Sequence, residues 1–99
     1  MVNIKLQTLS NITDITIDDQ KRFFLNGEQR KINVDTFMFH LKNIVRDWEA
    51  EYFAPNTLDG VSFSVLLTKD DRKFTSKGRN KFPSNFHSFL RLIEEVQRG

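Results

Sequence analysis

The last third of the chain constrains the fold most tightly. Val61, Phe63 and Val65 alternate with Ser62 and Ser64 after Asp59-Gly60, and Lys69-Asp70-Asp71-Arg72 then forms a polar turn. Period-two alternation on both sides of a short polar turn predicts a strand hairpin. Leu66-Leu67 interrupts the alternation, which suggests a bulge or a strand covered on both faces. The return strand begins at Lys73-Phe74-Thr75. Gly78 and Asn80 suit positive φ in a following loop, and Pro83 suits the first position of a helix. Phe86, Phe89, Leu90, Ile93 and Val96 then recur at helical spacing, predicting a helix to about Gln97.

The first two thirds read in the same terms. Val2, Ile4 and Leu6 alternate with polar residues and predict a half-buried strand. Ile15 and Ile17 predict a second, from about Ile12 to Asp18. Asn26-Gly27 is the preferred pair for a type I′ turn, because both central positions need positive φ. A tight hairpin is expected there, between Arg22–Leu25 and Glu28–Val34. Asp35 stands where an N-cap carboxylate belongs. Phe37, Leu41, Ile44, Val45, Trp48 and Tyr52 predict a helix from Thr36 to Tyr52, stopped at Ala54-Pro55-Asn56. The expectation is one α+β domain over residues 1–99, in the order ββ(ββ)αββα. Its antiparallel sheet would have four to six strands, with two helices on one face.

Composition narrows the class. The 99 residues are 38% hydrophobic and 28% charged, which fits a small globule with one core. The absence of cysteine excludes disulfides, Cys-ligated zinc and a thiol nucleophile. No stretch approaches the ~20 apolar residues of a spanning helix, and the N-terminus has no signal-peptide pattern. A cytoplasmic protein without a membrane association is expected. Ten Phe exceed what so small a core readily hides. Phe23-Phe24, Met38-Phe39 and Phe53 fall off the core stripes, so an exposed aromatic patch around Phe24 and Phe39 is expected to anchor a partner.

Charge is segregated although the net is only +2. Residues 69–81 carry Lys69, Arg72, Lys73, Lys77, Arg79 and Lys81 against Asp70 and Asp71. Lys73, Lys77, Arg79 and Lys81, interleaved with Phe74 and Phe82, have the composition of a phosphate-binding and base-stacking surface. The plainer reading is a solvated hairpin whose cations protect an edge strand. Asn80, Pro83 and Asn85 read either as an anion site at a helix N-terminus or as a loop-and-cap device; caps are the commoner need. His40 and His87 lack any metal or triad spacing. Asp18-Asp19 and Asp70-Asp71 are turn neighbours rather than converging carboxylates. Gly27 and Gly78 are isolated and form no phosphate-cradling loop. No catalytic, cofactor-binding or metal-binding residue and no small-molecule substrate site is visible.

Trp48, Tyr52, Asp59-Gly60, Phe63 and the run Gly78-x-Asn80-x-Phe82-Pro83-x-Asn85-Phe86-x-x-Phe89 together resemble a group of small uncharacterised bacterial α+β proteins. In these, a helix ends in an aromatic pair, a DG turn leads into a hairpin, and a G-x-N-x-[FY]-P-x-N segment opens the last helix. The resemblance covers the second half of the chain and implies a fold but no activity. Phe63 departs from the larger aromatic expected at its position. The function expected overall is a non-enzymatic protein-interaction module, with protein, a second copy of itself or another chain, as the partner. The alternative is a weak nucleic-acid binder using residues 69–81.

Overall fold

The computed structural model describes residues 1–54 and 60–98. Asp59 of the expected Asp59-Gly60 turn and the proline stop at Pro55-Asn56 lie outside the described residues. Strands β1 (Val2–Gln7) and β2 (Ile12–Ile17) pair antiparallel, with Ile4 opposite Ile15. Strands β3 (Phe23–Leu25) and β4 (Glu28–Arg30) form the expected hairpin. Asn26 and Gly27 both take positive φ, 50° and 83°, as a type I′ turn requires. Strands β6 (Ser62–Lys69) and β7 (Arg72–Arg79) pair over their whole length. That register is continuous through Leu66 and Leu67, so the expected bulge is absent. Leu67 faces the helices opposite Phe74, while Leu66 faces away opposite Thr75.

The sheet corrects the expectation of four to six antiparallel strands. Seven strands lie in the order β4-β3-β2-β1-β6-β7-β5. The additional strand, β5 (Glu51–Phe53), pairs parallel to β7, with Tyr52 opposite Gly78. It takes the residues expected to end the first helix. Helix α1 spans only Val34–Val45, and Trp48 donates its backbone N–H to the Val45 carbonyl in a closing turn. One local and one long-range bond then commit the chain to the sheet. Glu49 N–H donates to the Tyr52 hydroxyl (2.9 Å), and Ser76 Oγ donates to the Glu49 carbonyl (2.6 Å). Trp48 and Tyr52 keep a helical spacing without being helical.

The helix starts also differ from expectation. Asn33, not Asp35, caps α1: its Oδ1 accepts from Thr36 N–H at 3.0 Å. Asp35 lies in the first turn and pairs with Lys21 at 3.0 Å. Helix α2 spans Phe86–Arg98; Pro83 lies one turn before it, and the Pro83 carbonyl accepts from Phe86 N–H. Gly78, expected in a loop with positive φ, is a buried strand residue. A Cβ there would strike the Phe63 ring and come within 2.8 Å of the Lys81 carbonyl oxygen. It is glycine because of close approach.

Both helices cover one face of the sheet. Phe37 of α1 meets Phe23 edge-on at 5.3 Å, and Gln97 near the end of α2 donates to Thr13 Oγ1 at 2.9 Å. The core runs between, through Ile4, Ile15, Leu41, Val65, Phe89 and Ile93. Of the ten Phe, five are buried and three half-buried; only Phe39 and Phe53 are exposed, each at 63%. Each buried ring contributes about 1.5–3 kcal/mol of transfer free energy. The core therefore absorbs more of the aromatic content than its size suggested.

Candidate functional site

No described residue covers the face opposite the helices, and strand parity decides what it carries. On β7 the inward residues are Phe74, Ser76 and Gly78, so Lys73, Thr75, Lys77 and Arg79 point outward. On β1 the inward residues are Val2, Ile4 and Leu6, so Lys5 points outward with Asn3 and Gln7. Register aligns these strands. Asp14, Lys5, Ser64, Lys77 and Glu51 form one row across β2, β1, β6, β7 and β5. Gln7, Ser62, Arg79 and Phe53 form the next. Lys5 and Lys77 are thus two strands apart, about 10 Å, with the Ser64 hydroxyl between them.

Among the described residues, four cations on this face, Lys5, Lys73, Lys77 and Arg79, stand against two carboxylates. Glu51 pairs with Lys77 at 3.6 Å, an exposed contact of the kind that water and salt weaken. Asp14 accepts from Asn3 Nδ2 at 3.1 Å. Between the cations lie Ser62, Ser64, Thr75 and Gln7, all able to donate hydrogen bonds. Two open hollows, of about 410 and 510 Å³, meet at Ser62 and Arg79. The smaller is bounded by Phe53 and Lys77, the larger by Gln7 and Gly60.

The residues expected to form a site are therefore partly assembled and partly dispersed. Lys73, Lys77 and Arg79 share one face. Lys81 follows the end of β7, in the loop before α2. Phe24 is half-buried on the uncovered face beside Thr16, while Phe39 is exposed on α1, on the other side of the sheet. They do not form one aromatic patch, because strand and helix present them to opposite sides. The expected interleaving of Phe74 and Phe82 with the cations is also corrected. Phe74 faces the helices, and Phe82 stacks on Phe86 at 4.5 Å within the aromatic cluster. Lys5 was missed, and Phe53, read from the sequence only as lying off the core stripes, was not placed beside the cations. Parity alone would have placed Lys5 outward, but only the β1–β6–β7 order brings it near Lys77.

The motif that carried the resemblance is occupied with packing. Trp48, Phe63, Phe86 and Phe89 form edge-on and tilted ring contacts 5.0–6.4 Å apart. Asn85 accepts from Trp48 Nε1 and donates to the Ile44 carbonyl. Asn80 takes the positive φ expected of it, 59°, and its side chain lies against Gly60. His40 and His87 are exposed on the two helices, and neither has a hydrogen-bond or ion-pair partner among the described residues. Also among the described residues, no group of three or more His, Asp or Glu side chains converges as a metal site. No described helix is long and apolar enough to cross a membrane. No known protein family, curated protein or solved structure matches the chain.

Proposed function

We propose that this chain is a non-enzymatic binding module that takes a single-stranded nucleic acid on the uncovered face of its sheet. The observation that carries the reading is the alignment of Lys5, Lys73, Lys77 and Arg79 on one face, across adjacent strands and among hydroxyl side chains. Spaced cations neutralise successive phosphates, and an exposed ring beside them supplies a stacking platform. Phe53, opposite Arg79 at the sheet edge, is that ring. An open sheet face suits a splayed strand better than a duplex, since no helix among the described residues lies on this side to enter a groove. With four cations and two nearby acids the affinity is modest.

Fluorescence anisotropy of a labelled single-stranded oligonucleotide tests this. Binding should weaken with salt at a log–log slope of about −2 to −3, as three or four phosphate contacts predict for single strands. A Lys73→Gln/Lys77→Gln/Arg79→Gln variant should lose it, and Phe53→Ala should weaken it. Absence of binding at low salt, or an unaffected triple variant, rejects the reading. Protein contact is the second reading, favoured by the exposure of Phe39 on α1. It predicts a mass that rises with concentration, or a nuclease-resistant partner, and loss of either on Phe39→Ser.

A further inference from the structure

A second surface, on the helix side of the sheet, has different chemistry. α1 leaves one end of that face incompletely covered, and a groove of about 900 Å³ opens there. Its floor is apolar. Val34 and Met38, one helical turn apart, face Val2, Ile17, Leu67 and Phe74. Val34, Met38, Leu67 and Phe74 are each only half-buried. The volume lies within the roughly 300–1,000 Å³ of small-molecule sites.

The rim is charged, and its two sides differ. On one side the charges are satisfied: Lys21 pairs with Asp35 at 3.0 Å, the N-terminal ammonium with Asp19 at 3.3 Å, and Asp18 with Arg22 at 2.6 Å. The rest of the rim carries Lys42 of α1, Lys69 and Arg72 at the tip of the β6–β7 hairpin, and Lys73 beside them. None of these four forms an ion pair among the described residues. Lys69 and Arg72 are direct cross-strand partners, continuing the inward-facing register of Leu67 and Phe74. Like charges directly opposite each other destabilise a hairpin. A third cation facing the same groove adds to that repulsion. The remaining carboxylate at the rim, Asp70, is a single counter-charge.

An apolar floor beside four unpaired cations is complementary to one kind of ligand. We infer that this groove binds a monomeric single-chain amphiphile with an anionic head, of which a medium-chain alkyl carboxylate is the simplest example. The alkyl chain would lie on Leu67, Phe74, Val34 and Met38. The head would meet Lys69, Arg72 and Lys42, relieving their repulsion through charge-assisted hydrogen bonds. The groove meets the uncovered face at Lys73, but its floor and Lys42, Lys69 and Arg72 lie outside that face, and neither proposal depends on the other.

Titration of the ¹⁵N-labelled protein with sodium decanoate, below its micelle concentration, tests the inference. Saturable shifts are expected at the amides of Val2, Ile17, Val34, Met38, Leu67 and Phe74. Decanol and decyltrimethylammonium should bind at least about tenfold more weakly, because they lack the negative head. A Lys69→Gln/Arg72→Gln variant, changed only at an exposed hairpin tip, should keep the wild-type spectrum and lose about tenfold in affinity. Lys42→Gln provides an independent variant on α1 with the same expected direction. The inference is overturned by an absence of saturable shifts, by decanol binding as tightly as decanoate, or by shifts confined to the uncovered face. It is equally overturned if an oligonucleotide displaces decanoate, which would make the groove part of a polyanion surface.

Discussion

Trp48 and Asn85, 37 residues apart in sequence, are joined by a 2.7 Å hydrogen bond from the indole Nε1 to the amide Oδ1. The same amide donates through Nδ2 to the Ile44 carbonyl at 2.8 Å, one of the orphan carbonyls at the end of α1. One side chain thus closes α1 and fixes the indole against Phe63 and Phe89. Asn85→Ala would leave a buried indole N–H without its partner. Stability should fall by about 2–3 kcal/mol, and Tm by about 10 °C or more. Urea and thermal denaturation measure this directly, and a loss below about 0.5 kcal/mol would show that the pair contributes little.

Gly78 and Phe63 make a second such relationship. The Phe63 ring occupies the space a Cβ at residue 78 would need, and the Lys81 carbonyl blocks retreat on the other side. Gly78→Ala should cost about 2 kcal/mol or more through overpacking. In a double-mutant cycle with Phe63→Leu the two costs should not add, with a coupling of about 0.5–3 kcal/mol. Additive costs would mean that the ring is not what excludes a side chain.

These pairs mark where the sequence was legible and where it was not. Strand parity and the Asn26-Gly27 turn depend on neighbours in the chain, so the pairing of β1 with β2, β3 with β4 and β6 with β7 was readable. Strand β5 was not. Trp48 and Tyr52 keep the helical period, and what overrides it is distant: Ser76 takes the Glu49 carbonyl, and β7 offers Glu51–Phe53 an edge. The candidate site divides in the same way. The outward placement of Lys73 and Lys77 follows from parity within one strand; that of Arg79 does not, because Gly78 was expected in a loop and the strand runs on to Arg79. The nearness of Lys5 and Phe53 requires the strand order, which no local pattern encodes.

The start of α1 separates two caps experimentally. Asn33 Oδ1 takes the Thr36 amide, whereas Asp35 contributes an exposed ion pair with Lys21. Asn33→Ala should cost about 1 kcal/mol. Asp35→Ala should cost no more than about 0.5 kcal/mol, and less at high salt. Urea denaturation of both variants at two ionic strengths distinguishes them, and the reverse order would assign the cap to Asp35.

Asp18 gives the fold a pH dependence with a definite sign. Its Oδ1 accepts from the backbone amides of Arg22 and Gln20, both at 2.9 Å, and its Oδ2 from Arg22 Nε at 2.6 Å. The Arg22 amide bond is the largest of the effects that hold this carboxyl below the usual Asp range; partial desolvation opposes them. All three bonds are stronger to the ionised carboxylate than to the neutral acid. Because the folded value is depressed, the stabilisation is fully present above the unfolded-state value. It is lost as pH falls through the lower, folded one. Titration of the side-chain carboxyl by NMR should therefore give a midpoint below that of an unperturbed Asp. Asp18→Asn should flatten the acid limb of the stability profile while leaving its slope near neutrality unchanged. A midpoint at or above the unperturbed value would mean that the β2–β3 loop does not hold its carboxylate in this way in solution.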